Sequence, residues 1–428
     1  MSIKKQMNFY LKKLFPINRS LTGEGVRETL RILNEIIPIK TFEIPSGQKA
    51  FDWEVPKEWT VNDAYVKDSK GKKIIDYNKS NLHLVGYSIP FKGKISIDQL
   101  KKHLHTLPDQ PELIPYVTSY YNKEWGFCIA HKDLELLKDD HYEVVVDTNL
   151  KNGSMTYGEL IIKGESSKEI FLSTYICHPS MANNELSGPI VASFIGKNLI
   201  NGKKPKYTYR IIFIPETIGA LTYLSLNLDK LKKNVIAGYV ITCIGDSGPF
   251  SYLKSRRDDT LVNRVTLHAL EHSLDNHKIY NFEDSRASDE RQYCSPGIDL
   301  PIGSLTRTRP GHYPEYHSSG DNLDIVNGEN LLESIKMYEA CFTILENNFC
   351  YKSTVLGEPM MSKRNLYPSM SKKVRKQESV YDMMDILAYC DGDKDLLWIA
   401  DKLNKSFIKM LPSVKILLDN KLIKRVRK

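Results

Sequence analysis

Hydrophobic positions along the chain follow two periods. In RSLTGEGVRETLRILNEII (19–37), Val26, Leu30, Leu33 and Ile36 or Ile37 recur at three- and four-residue spacing. That spacing predicts helices over residues 1–40, with Ser20 or Thr22 as an N-cap. Residues 45–140 read differently. Pro45, Pro56, Pro90, Pro108, Pro111 and Pro115 interrupt a stretch rich in Tyr, Trp and Val. Short strands and turns fit there, with one short helix in GKISIDQLKKHLHTL. From about residue 143 strands and helices alternate. YEVVVDTNL and LIIKG open the series, and EIFLSTYICH, TYRIIFIPE and AGYVITCIGD are nearly continuous apolar runs. PIVASFIGKNLI and GALTYLSLNLDKL, between those runs, are helical. Continuous runs suit strands buried on both faces, so the expectation is a parallel sheet covered by helices. In SVYDMMDILAYC, DLLWIADKLN and SVKILLDNKLI, three amphipathic patterns with short connections predict a winged-helix or helix-turn-helix module.

These patterns divide the chain into an α/β domain of residues 1–44 and 141–350, an inserted β-rich domain at 45–140, and a linker with a small helical domain at 351–428. Charge sharpens that division. Of 60 Lys+Arg and 52 Asp+Glu, residues 352–428 hold 17 and 9, so the net +8 lies entirely there. Any polyanion contact is therefore confined to the C-terminal segment. Its candidate reading helix, KSFIKMLPSVKILLDN, offers Lys405, Lys409 and Lys415 but is mostly apolar and contains Pro412. Protein–protein contact or self-association is expected of it rather than sequence-specific DNA binding. The seven cysteines are scattered and never paired as CxxC, which fits a reducing compartment. No run of about 18 apolar residues is present, and the N-terminus has no apolar stretch with a small-residue cleavage site. The expectation is a cytoplasmic protein without membrane contact.

In parallel sheets ligands bind at the C-terminal ends of the strands. His178, Glu216 and Asp246 each follow a buried run, which puts them on candidate active-site loops. His178 in CHPSMANNELSGP is placed to be a metal ligand, or to be part of a polar loop that caps a helix. Glu216 in IPETIG is placed to take a proton, or to face a helix dipole. His317 lies in YPEYHSSGDNLD, where Asp321 or Asp324 is available to orient it or to cap the following helix. In SRASDERQYCSPG, Asp289 and Arg291, with Arg307 further on, are candidate substrate-binding residues; solvated surface is the plainer reading of such charges. Cys177 precedes His178 within a strand and faces the other side, against cysteine catalysis. No GxSxG, Walker or dinucleotide-binding glycine motif occurs in a supporting context.

Taken in order, the strand-end His178, the NELSG helix start, the strand-end Glu216, the Ser288-Asp289 segment and the YHSSGD loop resemble the zinc exopeptidases of the aminopeptidase and glutamate carboxypeptidase type. More closely, RSLTGEGVRETL (19–30), FDWEVPKEW (51–59), CHPSMANNELSGP, PETIG, SDERQYCSPG and EYHSSGDNLD resemble a bacterial family of aminopeptidase-like proteins associated with polysaccharide biosynthesis. The resemblance spans nearly the whole chain. It implies a zinc-aminopeptidase-like sheet with helices on both faces, an inserted β-rich domain and a C-terminal winged helix. His178 and His317 match zinc ligands, and Glu216 matches the general base. Three positions depart. Asn184 stands where a bridging aspartate is usual, Thr217 where a second glutamate is usual, and Thr242 near where another aspartate ends its strand. Asp246, four residues on, is the available substitute. The expectation is one zinc ion, with Asn184 and Asp246 joining the histidines, and hydrolysis of an amide bond in a small peptide or amide-bearing sugar. The missing carboxylates also suit an alternative: a non-catalytic binding or scaffold protein on an exopeptidase fold.

Overall fold

The computed structural model describes residues 1–366 and 378–426. They form two compact units, residues 1–262 with 276–335, and residues 263–275 with 336–428. In the first unit an eight-stranded mixed sheet is built from β1 (Lys40–Pro45), β2 (Ser154–Ile162), β3 (Glu169–Tyr175), β4 (Thr208–Ile214), β5 (Val235–Val240), β6 (Phe250–Leu253), β7 (His277–Tyr280) and β8 (Ile302–Thr306), in the order β1-β2-β4-β3-β5-β8-β6-β7. The centre is parallel: Leu172 of β3 pairs with Ile211 of β4 and with Tyr239 of β5. The edges β1 and β2 run antiparallel. Every residue of β3 and β4 is buried, which is why both read as nearly continuous apolar runs.

Helices α1 (Ile3–Leu14), α2 (Glu24–Leu33), α3 (Ser187–Asn201) and α4 (Ile218–Asn234) belong to the same unit. The cap expected of Ser20 or Thr22 is not made. Gly23 precedes α2 at φ 99°, and no side chain caps it. Thr22 instead accepts from the Trp59 backbone at 3.1 Å and shares a 2.7 Å hydrogen bond with Tyr87. Its hydroxyl ties the N-terminal segment to the insertion.

The insertion carries a four-stranded antiparallel sheet of Lys73–Asp76, Glu58–Lys67, His141–Lys151 and Phe91–Ser96. YEVVVDTNL was expected to open the main sheet and lies here instead. Its side chains alternate between buried and exposed, as suits a sheet with one covered face. The expected helix in this region is a single short turn, Ile97–Lys101, closed by a Ser96–Gln99 capping box.

In the second unit, strands Asp391–Asp395, Cys350–Ser353 and Ile423–Val426 form a small antiparallel sheet beside helices Glu378–Leu387, Leu396–Leu403 and Phe407–Asp419. This is the arrangement of a winged helix. The segment expected as a linker, 351–378, begins inside the Cys350–Ser353 strand, and its residues 367–377 lie outside the described residues. Among the described residues no helix is long and apolar enough to cross a membrane.

Candidate active site

Three loops at the C-terminal ends of β3, β4 and β5 meet a fourth, 313–322. After β3 the chain passes His178 and enters a π-type turn over Ala182–Leu186, in which the Ser187 N–H reaches back five residues to the Ala182 carbonyl. Such turns are rare and concentrate at functional sites. Asp321 holds this one. Its carboxylate accepts from the backbone of Ala182, Asn183 and Asn184 at 3.0, 2.6 and 2.9 Å, and from Tyr313 at 2.9 Å. Burial pushes the Asp321 carboxyl up to about 6. Gly188 then lets α3 start tight against the sheet, since a Cβ there would lie 2.2 Å from the Ile241 carbonyl oxygen.

The turn carries Glu185 under His178. Both are buried, and His178 Nδ1 lies 3.0 Å from the Glu185 carboxylate. Arg19, only 1% exposed, sits 3.1 Å from the other Glu185 oxygen and donates to the His178 carbonyl at 2.9 Å. With Nδ1 engaged, Nε2 is the nitrogen left to face the site, 3.7 Å from Glu216. Burial works against a charged imidazole, yet contacts with Cys177, Tyr116 and Glu185 raise His178 well above the ordinary histidine value.

Glu216 owes its direction to Thr217. That residue has φ 63° and ψ −75°, and the Ile218 N–H bonds the Glu216 carbonyl at 2.8 Å, so a strained γ-turn ends the loop. The turn is braced by the buried Asp289, which accepts the Thr217 N–H at 2.7 Å, and by Arg291, which donates to the Thr217 hydroxyl at 2.9 Å. Ser288 donates to one Glu216 oxygen at 3.0 Å, and the other oxygen is the one near His178. Burial and the neighbouring Glu216 raise the Asp289 carboxyl well above the usual range.

His317 adopts φ 55° and presents its ring 5.6 Å from that of His178, centroid to centroid. Tyr316 stacks on it at 3.9 Å, and Tyr116 of the insertion meets it edge-on at 5.2 Å. The Tyr116 N–H bonds the His317 carbonyl at 2.8 Å, so the insertion is laced directly to this loop. Burial and His178 together lower the His317 imidazole to about 3, which keeps it neutral. Neither of its ring nitrogens makes a hydrogen bond among the described residues. A neutral imidazole with free nitrogens is the form that ligates a metal.

Residues 9–348 match the model of a family described as a domain of unknown function, DUF4910, and residues 349–425 match a winged helix-turn-helix family. The chain belongs to the DUF4910 family. A Clostridium acetobutylicum relative, named provisionally as a polysaccharide biosynthesis protein with an aminopeptidase-like domain, is 43% identical over 417 residues, 97% of this chain and 95% of its own. A crystal structure of a C. acetobutylicum protein, described provisionally as a peptidase, superposes with a TM-score of 0.90 at 41% identity, covering 99% of this chain and 96% of that one. BSAP, a zinc aminopeptidase from Bacillus subtilis, is similar with a TM-score of 0.60 at 12% identity, covering 80% and 94%. The DUF4910 part of the chain therefore has the aminopeptidase-like fold, followed by a winged helix.

The fold brings His178, Glu216 and His317 together and places Asp289 and Arg291 behind Glu216. Two expected residues are engaged elsewhere. Asp246 accepts from Asn183 at 2.9 Å, Gly248 at 2.6 Å, and the Thr308 hydroxyl and backbone at 2.8 and 3.2 Å, so its carboxylate organises the 243–248 loop. Arg307 pairs with Glu333 at 2.5 Å and covers the Phe250 ring at 4.4 Å. Asn184 is 1% exposed and its Oδ1 has no hydrogen-bond partner. An orphaned buried oxygen is open to a cation or another donor. His178 and His317, with ring centroids 5.6 Å apart, are placed to share a metal ion, and the unpartnered Asn184 oxygen is a candidate third group.

Cys177, His178 and Glu185 also lie close enough to share an ion. That grouping is a poorer cage. Glu185 is already neutralised by Arg19, and burial pushes the Cys177 thiol up to about 11, away from the thiolate that binds metal. Sequence reasoning passed over Arg19, Ser288, Tyr116 and Tyr316 as site residues. Arg19 and Tyr116 lie in segments with no local chemical signal, and only long-range packing brings them in.

Proposed function

We propose that this protein is a metal-dependent amide hydrolase of the aminopeptidase kind, acting with one zinc ion on a small peptide or an amide-bearing sugar. The observation that carries this reading is the convergence of a neutral His317, an oriented His178 and a carboxylate, Glu216, 3.7 Å from His178 Nε2. Zinc, when bound, supplies Lewis acidity toward the amide carbonyl. The chain does the rest. Glu185 and Arg19 fix the His178 ring. Ser288 and the γ-turn at Thr217 aim Glu216, which takes the proton of the attacking water and returns it to the departing amine. Tyr116 and Tyr316 cover the site and limit access to small substrates or chain ends. The name of the C. acetobutylicum relative supports a place in glycan assembly, and a cytoplasmic location is part of the same proposal.

The test is incubation of zinc-loaded protein with aminoacyl-arylamides and N-acyl amino sugars, alongside Glu216→Gln. Turnover of neither class would sink the reading. The neutral Asn184, with Thr217 and Thr242 nearby, favours a second reading, a binding protein that has lost catalysis; it predicts metal-free protein and no turnover. For the winged helix we propose protein contact or self-association. Lys405 is held by Asp382 and Asp385 at 2.6 and 2.7 Å, which draws one of the three candidate lysines away from phosphates.

A further inference from the structure

Beside His317 the insertion opens a cleft of about 550 Å3, within the size range of small-molecule sites. Tyr316 and His317 line it from the 313–322 loop, and Thr106, Leu107, Gln110 and Tyr116 line it from the insertion. Its geometry is fixed rather than floppy. Gln110 Nε2 donates to the Pro314 carbonyl at 2.7 Å, and Pro115 bridges to Ser318.

We propose that this cleft is the subsite for an uncharged sugar ring that carries the scissile amide. The proposal rests on the amide-hydrolase reading and names its substrate class. No Asp, Glu, Lys or Arg lines the cleft. An ionised ligand group seated away from His317 would therefore lose water without meeting a charged side chain.

Two tyrosine rings and Leu107 provide apolar faces, while Thr106 and Gln110 provide hydrogen-bonding edges. Gln110 keeps its carbonyl oxygen and one N–H after bonding Pro314, and Thr106 keeps acceptor capacity after its 3.1 Å contact with His131. A sugar ring has the matching character, with C–H faces and hydroxyl edges. An aliphatic side chain would leave those polar groups desolvated and unpaired. Because His317 lines the cleft, a ring seated there places its amide beside the reacting groups.

The test is ligand binding by full-length Glu216→Gln protein, so that turnover does not enter. The probes are the methyl glycoside of N-acetylglucosamine (neutral), glucosamine (cationic), an N-acetylated uronic acid (anionic) and N-acetyl-leucinamide (apolar). The neutral sugar should bind about tenfold or more tighter than each of the others. Leu107→Trp, which fills the cleft, should weaken it by about the same factor, and Gln110→Ala, melting like its parent, should weaken it too. Equal or tighter binding of the apolar amide, or insensitivity to both cleft variants, overturns the proposal. Sugar binding in a protein whose wild type never turns over amides would keep the subsite and remove the hydrolase. Turnover of aminoacyl-arylamides without sugar binding would do the reverse.

Discussion

At the scale of single residues, the site depends on a strained threonine and a buried ion pair. Thr217 is β-branched at positive φ, a conformation that costs on the order of 1–3 kcal/mol and persists only because Asp289 and Arg291 brace it. Its product is the direction of Glu216. Glu216→Gln keeps the shape and removes the base, so turnover should fall by about 10²–10⁴-fold with the melting temperature and zinc content unchanged. Arg19→Met should act differently. It leaves Glu185 buried without its guanidinium, which costs about 3–5 kcal/mol, and it removes the donor that anchors the His178 carbonyl. Denaturant unfolding should show that loss, and calorimetry should show weaker zinc binding; a variant as stable as the parent would mean that the pair is not isolated from water. His178, Glu216 and His317 were legible because each ends a strand or sits in a polar loop at the right edge of the sheet. Arg19 was not, because its contact with His178 spans 159 residues. Nothing near Arg19 in the sequence distinguishes it from a surface arginine.

At the scale of elements, carboxylates set where helices begin. Asp321 holds the π-type turn ahead of α3, and Asp395 caps the Leu396–Leu403 helix by accepting the Trp398 N–H at 2.8 Å. Asp395 also takes both ends of the Arg264 guanidinium at 2.7 and 2.9 Å. Burial raises the Asp395 carboxyl, and the bonds from Arg264 and Trp398 outweigh it, so the group lies below the usual carboxylate value. A lowered carboxyl adds stability above its unfolded pKa of about 3.9, and that stability disappears as pH falls through the folded value. Asp395→Asn should therefore destabilise the second unit at neutral pH and flatten its acid unfolding below about pH 4. Parallel acid titrations of the two proteins, followed by circular dichroism, check this; identical profiles would remove the ion pair from the account. The nearly continuous runs of β3 and β4 were readable as elements because burial on both faces leaves few polar positions, and the charged ones, Glu169 and Arg210, pair with each other. YEVVVDTNL was assigned to the wrong sheet because alternation reports one covered face, not which neighbour covers it.

At the scale of the molecule, the net +8 belongs to the C-terminal segment, but the compact unit there recruits residues 263–275 as well. His268 of that stretch accepts from the Phe407 N–H at 2.9 Å and contacts Asp401 at 2.6 Å. Deleting 352–428 removes both partners. The truncated protein should melt lower and scatter more light on heating; an unchanged melt would mean that residues 263–275 hold without the winged helix. Sequence periodicity cannot show such recruitment, since the segment is separated from its partners by more than a hundred residues. The central claim concerns the site itself, that His178, His317 and the neutral Asn184 hold a single metal ion. The most direct measurement is calorimetric titration of zinc into metal-free wild type, His317→Ala and Asn184→Asp. The account predicts one ion per chain in the wild type, none in His317→Ala, and tighter binding in Asn184→Asp, because an anionic oxygen replaces a neutral one with almost no change of shape. Two ions in the wild type, or equal affinity in wild type and Asn184→Asp, would contradict it.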